Sequence, residues 1–239
     1  MTGVHVEWMK IGGFVKTTLS DWDGKVSCLI FLAGCNFSCP YCHNPEIANG
    51  VCDGEDEKKI LEYIEENSDF LEGVVISGGE PTLDRDLYKL LREIKKTGLL
   101  IKIDTNGSSP EVLDDIIGAR LVDYVAMDIK APLHSERYGA ATGGYGNVET
   151  IGKSIRTIMD SGVEYEFRTT VYPGVLSPDD VTDIARSVRG AERFCIQQFR
   201  PKVTLDPEAG KVKPYSVKEL RAMHDAAKPY VKRVSVRGI

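Results

Sequence analysis

The chain has 239 residues, 42% of them hydrophobic and 28% charged, with a net charge of −6. This is enough for one ordinary domain with a real core, and the composition is that of a globular protein rather than a disordered one. The acids and bases are spread along the whole chain with no basic stripe, which argues against nucleic acid as a partner. The longest apolar stretch, Val26 to Ala33, is broken by Ser27 and is far too short to span a bilayer, so no membrane partner is expected.

The N-terminal residues MTGVHVEWMKIGG lack the charged-then-apolar order of a secretory signal. A cytoplasmic protein is therefore expected, and six cysteines in a reducing compartment read as ligands, redox groups or small buried residues rather than disulfides. Apolar runs then recur in order: VSCLIFLA (26–33), GVVISG (73–78), LLIKIDT (99–105), YVAMDIK (124–130), YEFRTTVY (165–172) and FCIQQF (194–199), with VKRVSVRG near the end as a seventh candidate. Nearly continuous apolar runs predict strands covered on both faces. Helical patterns lie between them. Asp84 precedes LYKLLREIKK, Asn147 precedes VETIGKSIRTIM, Ser177-Pro178-Asp179-Asp180 supplies a cap, an early proline and first-turn acids, and Ser216 to Glu219 reads as a capping box. Gly98, Gly162 and Gly190 fall where these helices should stop. Six strands alternating with helices predict an α/β fold, a parallel sheet with right-handed crossovers forming a partial (β/α)6 TIM-like barrel. Chemistry collects at the C-terminal ends of such strands, where the polar motifs lie.

The first of these motifs, GCNFSCPYCHNP, holds Cys35, Cys39 and Cys42 in a C-x3-C-x2-C spacing. A structural zinc would want a fourth ligand, from Cys52 or His43. Cys28, Cys52 and Cys195 are scattered and read as incidental thiols. A four-iron cluster takes one ligand per iron, so three cysteines leave one iron open to a chelating molecule.

With Tyr41 before the last cysteine, this loop resembles the cluster loop of the radical S-adenosylmethionine (SAM) superfamily. The GGEP turn, Gly78 to Pro81, resembles that family's methionine-binding turn. Residues 12–46, ending in the CHNP of 42–45, resemble the start of glycyl-radical-enzyme activating proteins, in particular those of anaerobic ribonucleoside-triphosphate reductase. IDTNG (103–107), MDIKA (127–131) and FRTTVYPG (167–174) resemble successive strand ends of the pyruvate formate-lyase activating enzyme. The resemblance implies a single radical SAM domain over 1–239, with its core at about 20–239 and a short N-terminal extension at 1–19.

It also implies site residues. Cys35, Cys39 and Cys42 would bind a [4Fe–4S] cluster, with Tyr41 beside it. Gly78, Gly79 and Glu80 would meet the SAM amino group, and Asp104, Asp128, Lys130 and Arg168 the carboxylate and ribose, in some members together with a monovalent cation. Asn106 and Gly107 read as turn residues, and His43 and Asn44 as groups near the cluster sulfurs or the partner. The pyruvate formate-lyase type carries a ribose-contacting His after its last strand; here Gln197-Gln198-Phe199-Arg200 stands there, and Gln198 is the expected substitute. No cysteine-rich insert is present, so one cluster is expected. The implied reaction is reductive cleavage of SAM followed by hydrogen abstraction from a glycine of a partner enzyme. Anaerobic ribonucleotide reductase is the expected glycyl radical enzyme, and a small redox protein the electron donor. Competing readings are an activase of another glycyl radical enzyme, a 7-carboxy-7-deazaguanine synthase-like enzyme, against which CHNP and DTNG argue, and a non-enzymatic electron carrier.

Overall fold

The computed structural model describes residues 10–239; the N-terminal residues 1–9, read above as part of an extension without a secretory pattern, lie outside the described residues. Eight strands form one sheet: β1 (Ile11–Thr18), β2 (Ser27–Leu32), β3 (Gly73–Gly78), β4 (Leu100–Thr105), β5 (Tyr124–Asp128), β6 (Glu164–Val171), β7 (Arg193–Gln198) and β8 (Arg233–Arg237). Their order in the sheet is their order in the chain. β1 runs antiparallel to β2, and every later pair is parallel. The sheet ends at β1 and β8 without closing, which is the expected partial barrel. All seven predicted runs are strands. β1 was not read from the sequence, because Gly12-Gly13 and two register irregularities, at 11/13 and 15/18, leave no clean alternation.

The helices α1 (Pro45–Ala48), α2 (Glu57–Glu66), α3 (Leu87–Lys95), α4 (Pro110–Gly118), α5 (Ser135–Thr142), α6 (Val148–Asp160), α7 (Pro178–Ser187) and α8 (Val217–Ala227) fill the crossovers. Ser177 with Asp180 and Ser216 with Glu219 make complete capping boxes, and the Asn147 side chain accepts from the Thr150 N–H. α3 begins at Leu87 after Asp86; Asp84, expected as its cap, instead accepts from the Asp86 N–H.

The core divides by strand parity. One set of strand residues, including Ile76, Ile103, Met127, Phe167 and Ile196, packs outward under the helices. Inside the barrel a small apolar cluster of Trp22, Leu29, Val75, Tyr124 and Ala126 fills the side nearest β2 and β3. The side formed by β4 to β8 is ionic instead: Arg168 pairs with Asp104 and Asp128 and Arg237 with Glu166 across the strands, and Lys102 pairs with Asp104 along β4. The expectation of strands apolar on both faces thus holds for β3 and fails for β4 and β6. Trp22, in the loop joining β1 to β2, sits against the Tyr124 ring, and its neighbour Asp23 pairs with Arg237 at the far edge of the sheet.

Candidate functional site

β2 delivers the chain into the three-cysteine loop, and backbone bonds fasten that loop on several sides. The Gly79 N–H donates to the Leu32 carbonyl and the Glu80 N–H to the Gly34 carbonyl, both at 2.8 Å. The Ser38 N–H donates to the last residue of α5, Thr142, and the Asp206 N–H donates to the Pro40 carbonyl. Aromatic contacts do the rest: Phe37 packs on Tyr138 and Tyr145, Tyr41 stacks on Tyr172, and His43 on Phe199. The GGEP turn comes so close that only glycine fits. A Cβ on Gly78, at φ +122°, would lie 2.2 Å from the Leu32 carbonyl oxygen, and one on Gly79 would lie 1.9 Å from that of Gly34.

A cavity of about 420 Å³ opens at the C-terminal ends of the strands. Cys35, Cys39 and Cys42 line one wall, with Tyr41, Gly78 and Gly79 beside them. Asp104, Asp128, Lys130 and Arg168 also line the cavity. Ten of the twelve expected residues therefore meet at one place.

The other two do not line it. Glu80 is 2% exposed and turned beneath the cavity. Its carboxylate accepts from the Thr82 N–H and hydroxyl, the Thr105 hydroxyl and the Asn106 N–H. Burial raises its pKa, and these donors oppose the rise. It braces the end of β4 against the GGEP turn. Gln198 points outward, where its amide donates to the Tyr215 carbonyl; Gln197 is the residue that faces the cavity. Strand alternation decides this: a shift of one residue reverses the face.

The polar wall is a connected ion network. Arg168 grips Asp128 with two parallel bonds of 3.1 Å and reaches Asp104 Oδ2 at 3.2 Å. Lys130 Nζ lies 3.5 Å from Asp128 Oδ2. Burial disfavours the Asp128 carboxylate, but Arg168 and Lys130 outweigh it and hold its pKa below 3.8. Burial also opposes the Lys130 ammonium, and Asp128 more than restores it. Among the cysteines burial pushes the Cys39 thiol up to about 12 and raises that of Cys35, which the Phe37 N–H partly offsets.

Several contributors were not identified from the sequence. Asp21 and Ser77 line the cavity; Asn106, read as a turn former, also lines it and donates toward Cys35 Sγ at 3.8 Å. Lys102 lies beneath Asp104. Alternation from Asp104 would have exposed Lys102 as inward-facing.

The donor set suits a cluster. No fourth cysteine lines the cavity: the Cys52 sulfur lies beside Gly12, while Cys28 and Cys195 are buried in strands. Among the described residues no three His, Cys, Asp or Glu side chains converge on a single ion. Three thiols lining one cavity fit a four-iron cluster, which would take one thiol on each of three irons and leave the fourth for a chelating ligand. No helix among the described residues is long and apolar enough to cross a membrane.

A model of the radical SAM superfamily matches residues 29–188. A protein of Methanocaldococcus jannaschii named as a glycyl-radical enzyme activating enzyme is 38% identical over 236 residues, 96% of each chain. The pyruvate formate-lyase-activating enzyme of Streptococcus mutans is 27% identical over 213 residues, covering 81% of this chain and 80% of its own. Among solved structures, QueE of Escherichia coli superposes with a TM-score of 0.56 at 16% identity over 97% of this chain and 94% of its own. Streptococcus suis SuiB, solved with S-adenosylmethionine, gives 0.66 at 18% identity over 86% of this chain and 48% of its own, so this chain spans about half the length of SuiB. These two likenesses speak for the fold. Family match, near full-length relative and three-cysteine cavity together place the chain in the radical SAM superfamily, among the glycyl-radical enzyme activating enzymes.

Proposed function

We propose that this enzyme activates anaerobic ribonucleoside-triphosphate reductase, and that the 420 Å³ cavity between the thiol wall and the ion network holds its cluster and SAM. The observation that carries the reading is that three cysteines and a buried Arg168–Asp128–Lys130 set line one cavity. When bound, the [4Fe–4S] cluster and SAM supply reductive SAM cleavage and a carbon radical able to take hydrogen from a glycine.

The chain's own residues bind, orient and exclude water. Cys35, Cys39 and Cys42 would hold three irons. Burial raises the pKa of the Cys35 and Cys39 thiols, so loading there would release thiol protons. Lys130 and Arg168 present cationic hydrogen-bond donors to a carboxylate, and the backbone of Gly78 and Gly79 lies open to an amine. Glu80 acts at one remove by fixing Thr105 and Asn106. Gln197, with Thr170 across the strand pair, takes the sugar-facing position assigned above to Gln198. The Tyr41 hydroxyl is buried with no hydrogen-bond partner, and burial raises its pKa, so its ring acts as an apolar wall. One domain, a cytoplasmic setting and a small redox protein as donor complete the proposal.

The two glutamines give a parity test. Gln197→Ala should weaken SAM binding by roughly tenfold, the scale of one lost hydrogen bond to a ligand. Gln198→Ala should leave binding alone and cost about 1 kcal/mol of stability through the lost bond to Tyr215. Equal effects on binding in equilibrium dialysis would contradict the assignment.

The central test is anaerobic reconstitution, reduction and assay of 5′-deoxyadenosine, with iron-free protein as control. Addition of the reductase should produce a glycyl radical signal in electron paramagnetic resonance. SAM cleavage without that signal, but with one on adding pyruvate formate-lyase, would move the partner. Cleavage with no glycyl radical from either would favour a small-molecule substrate.

A further inference from the structure

We propose that the Lys102–Asp104 pair and the ion network around it do not fit a monovalent cation of the kind some activating enzymes carry, so that this enzyme binds SAM without one; the inference rests on the activase reading above. Within the ion network a cation site would have to be built from Asp104 and Asp128; the Asp21 carboxylate, which also lines the cavity, accepts from the Thr18 and Ser20 hydroxyls. Both oxygens of Asp128 are taken by Arg168, with Lys130 a further 3.5 Å from Oδ2. Asp104 Oδ2 accepts from Arg168 and from the Ser77 hydroxyl. The one oxygen left is Asp104 Oδ1, which is buried and accepts no hydrogen bond. The charge nearest to it is Lys102 Nζ, at 3.5 Å.

Lys102 is not a surface lysine that happens to lean inward. Its side chain is 3% exposed. The ammonium donates to the Asp21 carbonyl and lies 5.5 Å from the centre of the Tyr124 ring. It enters from β4 two residues before Asp104, on the same inward face. Lys102, Lys130 and Arg168 are the cations in contact with the Asp104–Asp128 pair, and of these Lys130 and Arg168 also line the cavity that a ligand carboxylate would enter. A metal cation would have to share Asp104 Oδ1 with a buried ammonium that is held by the Asp21 carbonyl. The residues present do not fit a monovalent cation; they replace it.

The test uses the reconstituted holoenzyme and measures SAM affinity by equilibrium dialysis in tetramethylammonium chloride and in potassium chloride. Wild type should bind equally in both. Lys102→Met should bind about tenfold more weakly in tetramethylammonium, with potassium restoring much of the loss, because the vacated volume and charge now admit the ion. Lys102→Arg should stay indifferent to potassium. Potassium rescue is a readout that a merely structural lysine would not give, and circular dichroism reports whether each variant is folded. Wild-type affinity that collapses without potassium overturns the proposal by itself, even if Lys102→Met does not fold. A folded Lys102→Met that ignores potassium overturns it too. Wild type that binds no SAM in either salt would overturn the activase reading instead, a different and recognisable result.

Discussion

Gly79→Ala should remove iron loading and SAM binding together and lower the melting temperature by roughly 10 °C or more. The added methyl carbon would sit 1.9 Å from the Gly34 carbonyl oxygen, 2.5 Å from its carbon and 3.1 Å from the Cys35 nitrogen. All three are backbone atoms, so no side chain can rotate away. The Glu80 N–H bond to Gly34 breaks when the two turns separate, and Cys35 moves with Gly34. A cost above about 4 kcal/mol is expected, since this is steric overlap inside a packed contact. Gly34→Ala is the informative comparison. Gly34 has φ +93° but open space around its Cα, so alanine there meets conformational strain alone, about 1–2 kcal/mol. Thermal melting and iron content of the two variants side by side check the ranking. A Gly79→Ala protein that melts and loads iron like Gly34→Ala would refute the close-contact argument.

Arg168→Met should abolish measurable SAM binding and destabilise the fold by about 3–5 kcal/mol at neutral pH, the usual cost of stripping one partner from a buried ion pair. Arg168 is 8% exposed and makes three bonds to two carboxylates. Without it Asp104 and Asp128 keep the ammonium groups of Lys102 and Lys130, each 3.5 Å away, and the Ser77 hydroxyl on Asp104. The pH dependence follows from the direction of the Asp128 shift. Its folded pKa lies below the ordinary 3.8. Its contribution is therefore complete above 3.8 and is lost as pH falls through the lower folded value. The variant lacks most of that depression, so the stability gap between wild type and variant should narrow in acid. Urea denaturation of the iron-free proteins across that range measures it. A gap that stays constant into acid would mean that Arg168 acts through packing and not through the carboxylates.

Much of this was legible in the residues. β2 to β7 announced themselves because parallel strands under helices need apolar outward faces, and runs such as GVVISG supply them. The three cysteines and the strand-end motifs could be read because their residue types and spacing have few other uses. Where the reading slipped, parity or path was at fault. Gln197 and Gln198 are adjacent and chemically identical, so only the register of β7 on β6 tells which one enters the cavity. Glu80 follows two glycines whose path cannot be derived from propensity, and the turn carries its carboxylate under the cavity to four donors. Lys102 lay hidden in LLIKIDT because a lone lysine in an apolar strand reads as a surface residue. β1 was missed because its glycines and irregular register erase the pattern that strands are recognised by.

The unclosed sheet leaves two strands with unpaired backbone, and unpaired edges invite aggregation by strand addition. Both ends of this sheet are guarded. β8 reads Arg-Val-Ser-Val-Arg, with a guanidinium at each end and only two apolar residues between. β1 is broken twice in its register, which twists its free edge away from the straight template that a second chain would need. The Asp23–Arg237 pair reaches across the gap between these edges and ties the two guards together. The seam of the incomplete barrel is thus bridged by a side chain of a short loop rather than by a further strand.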